Sequence, residues 1–169
     1  GLVAWYPFNG NANDESGNGN HGNLLSGTSI VGDRFNLSNS AVQIDGFDGL
    51  EKGIRLPWNI SLSSDFTINV WFKIGTIDKS GQNPAHTLLD FVPHTTMGVS
   101  YNHPYSSSLM HSCVGDGSQW NLCAPGTSLN WPISNPQNWN FISVTKTSVG
   151  YKYYLNGILM NEYTGAFGL

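Results

Sequence analysis

The chain has 169 residues, a formal net charge of −4 and only 11% charged residues, against roughly 25% in ordinary soluble domains, so its polarity rests on Asn, Ser, Thr and Gly. Seven Lys and Arg against eleven Asp and Glu exclude the basic face that nucleic-acid phosphates demand. No apolar run approaches the roughly 18–20 residues of a membrane-crossing helix, so no membrane insertion is expected, and the length fits a single domain over residues 1–169 with a sizeable core.

In chain order, the apolar run Val3 to Phe8 reads as an opening strand. Fourteen residues built almost wholly from Asn, Gly, Asp, Glu and Ser follow it, Asn9 to Gly22. Gly and Asn are costly in a helix and useful in turns and left-handed conformations, so this tract is a loop. Short strands are predicted at Ala41 to Asp45, Gly53 to Leu56, His86 to Val92 and Met97 to Asn102. The clearest is Asp65 to Ile74, where Phe66, Ile68, Val70, Phe72 and Ile74 face one way and Thr67, Asn69, Trp71 and Lys73 the other. Trp139 to Thr147 and Tyr151 to Leu155 are further strands. Asn156-Gly157 then turns the chain into another, because both central positions of a tight hairpin require positive φ. Period two dominates, helical periodicity is nearly absent, and the pattern alone predicts an all-β sandwich. Gly1-Leu2-Val3 reads as folded strand rather than leader, so an exported protein with its leader removed, or an excised module, is expected.

The opening loop is rich in side-chain oxygens. Asp14, Ser16, Asn18 and Asn20 alternate along it, with glycines that let backbone carbonyls turn inward, and calcium takes six to eight such oxygens in flexible geometry. Asp14 is the first expected ligand and Asn18 the next, in a structural calcium site. The other reading is a calcium-free loop held by Asx turns. Cys113 and Cys123 flank a turn-like Asp-Gly-Ser segment, and a disulfide between them would stabilise by roughly 3 kcal/mol in the chain-entropy model; the alternative is two unpaired thiols. Asn36-Leu37-Ser38 and Asn59-Ile60-Ser61 fit the glycosylation sequon, a pattern that arises readily in an Asn- and Ser-rich chain.

Several segments in a fixed order carry a family resemblance: LVAWYPFNGNANDESGNGNHG at Leu2 to Gly22, SAVQIDGFDG at Ser40 to Gly49, DFTINVWFK at Asp65 to Lys73, WNFISV at Trp139 to Val144 and YYLNG at Tyr153 to Gly157. Together they resemble the laminin G-like modules of the concanavalin A-like lectin/glucanase superfamily. The resemblance implies a jelly-roll sandwich of two antiparallel sheets in an exported, multidomain protein. It covers most of the chain, with one departure. The family's two closing strands after the Asn-Gly hairpin, with their acidic residues, have no counterpart before Leu169. The expectation is a shortened chain or a sandwich closed by a neighbouring segment. The fold implies little about function, since the superfamily hosts lectins, adhesion modules, protein-binding domains and glycosidases.

A glycosidase needs a placed pair of carboxylates. Asp45, Asp48 and Glu51 cluster in what reads as a turn, and no predicted strand carries two carboxylates at alternating positions, so no enzyme is expected. His86, His94, His103 and His111 match no metal spacing and read as loop or strand-end histidines. Aromatic residues offer the better binding chemistry, because sugar rings stack on Trp and Tyr while amides and hydroxyls bond their oxygens. Trp5, Trp71 and Trp139 are expected in strands, packed inward. Trp58, Trp120 and Trp131 fall in loop-like stretches, and with Tyr101, His103, Tyr105 and Asn121 they are the expected ligand surface. The sequence therefore predicts a non-catalytic, lectin-like module, secreted or at the cell surface, that binds a glycan or polysaccharide. The alternative is a structural domain making protein contacts in a larger secreted or filamentous assembly, and a glycoside hydrolase comes third.

Overall fold

The computed structural model describes residues 1–45, 52–57, 65–75, 86–90, 97–101, 109–114 and 129–164. They are organised as two compact units, Gly1–Ser61 and Leu62–Leu169. Every sheet is antiparallel, and the described residues contain no helix.

The first unit holds two small ladders. Strand β1 (Asn23–Leu24) pairs with β4 (Ile54–Arg55), and β2 (Thr28–Val31) pairs with β3 (Ala41–Ile44). Residues 1–22 contain no strand, which corrects the expectation for Val3 to Phe8. The backbone of that segment is bonded mainly by polar side chains from the loop that follows it. The amides of Asn18 and Asn20 donate to the Val3 carbonyl at 3.0 and 2.9 Å, and an oxygen of Asp14 accepts the Trp5 N–H at 2.9 Å. Side chains here do the work of a partner strand. Asn36, in the first sequon, is exposed in a turn at positive φ, and Asn59 lies outside the described residues.

The second unit is a two-sheet sandwich. One sheet has the order β12-β11-β10-β5, from Ile158–Thr164, Gly150–Leu155, Asn140–Thr147 and Phe66–Phe72. The other has the order β6-β7-β8-β9, from His86–Asp90, Met97–Tyr101, Leu109–Val114 and Leu129–Pro132. Alternation decides which side chains meet between them. On β10, Ile142 and Val144 point inward and are fully buried, and on β11 Tyr151 and Tyr153 do the same. From the other sheet, Val99, Met110 and Trp131 join this cluster. Burying each aliphatic side chain contributes roughly 1.5–3 kcal/mol.

Two turns set the register of β10, β11 and β12. Asn156 and Gly157 both have positive φ, 51° and 84°, as the sequence predicted for a tight hairpin. The Asn156 side chain adds a clamp: its Oδ1 accepts the Phe141 N–H at 2.8 Å, and its Nδ2 donates to Asn140 Oδ1 at 3.0 Å. At the other end, Gly150 sits at φ 144° against the Tyr163 carbonyl, with no room for a Cβ.

Candidate functional site

The face of the β12-β11-β10-β5 sheet directed away from the core is built by the residues that alternate with the buried ones. Trp71 on β5 stands opposite Phe141 on β10. Their ring centroids are 5.0 Å apart and tilted by 43°, and Trp71 keeps 45% of its surface exposed. One step outward along the strands, Trp139 lies just before β10, with the Lys73 ammonium 5.5 Å from its ring centroid. In the opposite direction the next rung is Asn69, Ser143 and Tyr154, and the one after is Thr67, Thr145 and Lys152. Cross-strand neighbours lie close enough to share a ligand. The result is a strip of aromatic rings beside short amides and hydroxyls, on rigid strands. The predicted alternation had placed Trp71 with Thr67, Asn69 and Lys73, so the signal was present. The expectation that Trp71 packs inward is corrected: the inward positions of β5 are occupied by Val70 and Phe72 on either side of it. Trp5 is likewise 53% exposed and outside any strand.

In the first unit, Asp14, Ser16, Asn18 and Asn20 do converge, and Asp14 is the hub. It is 5% exposed. Oδ1 accepts the backbone N–H groups of Trp5 and Ser16, each at 2.9 Å; Oδ2 accepts the Ser16 hydroxyl and the Asn20 N–H, each at 2.9 Å. The Asn18 amide nitrogen donates to the carbonyls of Leu2 and Val3. His21 Nδ1 accepts the Asp14 N–H at 3.2 Å, and the Tyr6 hydroxyl donates to the Asn20 carbonyl at 2.6 Å. Burial alone would raise the Asp14 pKa, but the donors from Trp5, Ser16 and Asn20 outweigh it and hold the carboxyl well below the usual carboxylate range. Burial, helped by the Asp14 charge, pushes the Tyr6 phenol up. In this arrangement both Asp14 oxygens face N–H and O–H groups, as in the Asx-turn reading. Among the described residues no three His, Cys, Asp or Glu side chains gather as a metal site.

Of the expected ligand residues, Trp131 is the one whose side chain is described. It lies on β9 rather than in a loop, is 2% exposed, and packs on Tyr153 with centroids 5.3 Å apart. This corrects its assignment to a ligand surface, because the ring is spent on joining the two sheets. Trp58, His103, Tyr105, Trp120 and Asn121 lie outside the described residues, as does the side chain of Tyr101 at the end of β7. Cys123 and the side chain of Cys113 also lie outside them, so the disulfide does too. His111 is mid-strand on β8 and buried, not at a strand end.

These observations define an all-β antiparallel sandwich with an aromatic, hydroxyl- and amide-bearing outer face. No helix among the described residues is long and apolar enough to cross a membrane. No family model matches the chain, and no curated protein does. Among solved structures, the chain is similar to domain 4 of AbnA, a GH43 extracellular arabinanase from Geobacillus stearothermophilus, in complex with arabinotriose. The identity is 22% and the TM-score 0.47, covering 98% of this chain and 80% of that one.

Proposed function

We propose that this chain is a non-catalytic glycan-binding module of an exported protein, and that it binds through the outer face of the β12-β11-β10-β5 sheet. The observation that carries this reading is the half-exposed Trp71 ring, held against Phe141 and bordered by Asn69, Ser143 and Thr145. An indole face takes the apolar C–H face of a pyranose or furanose ring. Neutral amides and hydroxyls both donate and accept, as sugar hydroxyls require. Packing between Trp71 and Phe141 fixes the ring before any ligand arrives, which lowers the entropy lost on binding. Two described carboxylates border this face at separate strands, Glu162 on β12 and Asp65 just before β5, in the same alternation as Thr67, Asn69 and Trp71.

Affinity electrophoresis through gels containing soluble polysaccharides tests the reading. Wild type is retarded by at least one of them, and Trp71→Ala is not, with thermal unfolding confirming that the variant is folded. Retardation that survives Trp71→Ala moves the site elsewhere. Absence of retardation in every gel favours protein contacts in a larger assembly.

A further inference from the structure

We infer that the ligand of this face is an uncharged polysaccharide, and that sulfated or uronate-bearing chains are poor ligands; the inference rests on the glycan-binding reading above. The face is nearly neutral by construction. Lys152 on β11 stands directly across from Glu162 on β12, with Nζ and Oε2 3.6 Å apart and both side chains about half-exposed. The two charges border one end of the strip and cancel there, and Asp65, just before β5, adds one negative charge at that end, opposite in sign to Lys73 at the other. At the other end the Lys73 ammonium lies over the Trp139 ring, an attraction to the negative π face. Between these ends the rungs of Trp71 with Phe141, and of Asn69 with Ser143 and Tyr154, carry no formal charge.

Recognition of a repeating anion has a different requirement. Carboxylate and sulfate groups recur along such a chain, and binding them calls for several cations, arranged to give forked or clustered hydrogen bonds. Among the described residues the cations on this face are Lys73 and Lys152, and Lys152 has Glu162 across from it. Bringing polyanionic groups against Glu162 would also add like-charge repulsion. A neutral chain meets neither obstacle, and its rings can stack successively on the aromatic side chains. Tyr154 is the diagonal cross-strand neighbour of Phe141, a separation of about 7–8 Å between backbone positions, so more than one sugar ring can be engaged.

The test compares retardation in gels of neutral polysaccharides, such as arabinan, xylan and β-glucan, with gels of polygalacturonate and a sulfated galactan, each at 50 and 500 mM NaCl. Retardation by a neutral polymer, changing less than about twofold between the two salt concentrations, is the expected result, since no counterion release accompanies binding. Glu162→Gln unmasks Lys152 and adds a weak, salt-sensitive affinity for polygalacturonate. Retardation only by the acidic polymers, abolished by Trp71→Ala and weakened more than tenfold at high salt, overturns neutrality and leaves the glycan-binding reading standing. Retardation by none of the polymers overturns both.

Discussion

An oxygen of the Asp14 carboxylate accepts the backbone N–H of Trp5 at 2.9 Å, nine residues away in the chain. With the three other donors on the same carboxylate, this bond holds the opening segment against its own polar loop. One buried acid thus replaces the strand that the apolar run Val3 to Phe8 had suggested.

Acid sensitivity follows from that arrangement. In the unfolded chain Asp14 titrates near about 3.9, and in the fold it is held below that value by its donors. As pH falls, the unfolded state takes up this proton first. The stability Asp14 confers is therefore present above about pH 4 and is lost as pH falls further towards the folded value. Thermal unfolding followed from about pH 6 down to about 2.5 should show the melting temperature falling in the lower part of this range. Asp14→Asn should lower the melting temperature at neutral pH and flatten that acid limb. An unaltered limb in the variant assigns the acid sensitivity to other carboxylates.

Calcium provides a separate check on the same loop. Because Ser16, Asn20 and Trp5 already occupy both oxygens of Asp14, a cation must displace donors to enter. The expected result is an unchanged melting temperature between chelator and millimolar calcium, by scanning calorimetry. A rise of several degrees that Asp14→Asn removes means that the loop rearranges around the ion.

Trp131 and Trp71 should separate stability from binding. Trp131→Ala empties a position between the sheets and should cost about 3–5 kcal/mol, read as a shift in the denaturant midpoint. Trp71→Ala, on the outer face, should leave the midpoint within about 1 kcal/mol of wild type while abolishing retardation by polysaccharide. If Trp131→Ala is as stable as wild type, its ring does not join the sheets as described.

Gly150→Ala tests the close approach of β11 to β12. A methyl group there would overlap the Tyr163 carbonyl, and the backbone lies at a φ of 144° that side chains rarely adopt. The expected cost is about 3 kcal/mol or more, measured by chemical denaturation. Ser148→Ala, in the same hairpin but free of that constraint, should stay within about 0.5 kcal/mol.

The amino-acid sequence by itself determined the all-β class, the inward set Phe66, Ile68, Val70, Phe72 and Ile74, and the Asn156-Gly157 turn. Each depends on local chemistry: the two-residue period of an extended chain, and the positive φ that Asn and Gly tolerate. Tertiary structure alone decided the roles of the polar loop and of Trp131. Loop composition cannot tell whether Asp14 oxygens face a cation or backbone donors, because those donors come from Trp5 and Asn20, brought near only by folding. A tryptophan's identity likewise says nothing about its side of a sheet. The alternation of β5 sends Trp71 outward beside Phe141. The pairing of β9 with β8, opposite a second sheet, seals Trp131 inside against Tyr153.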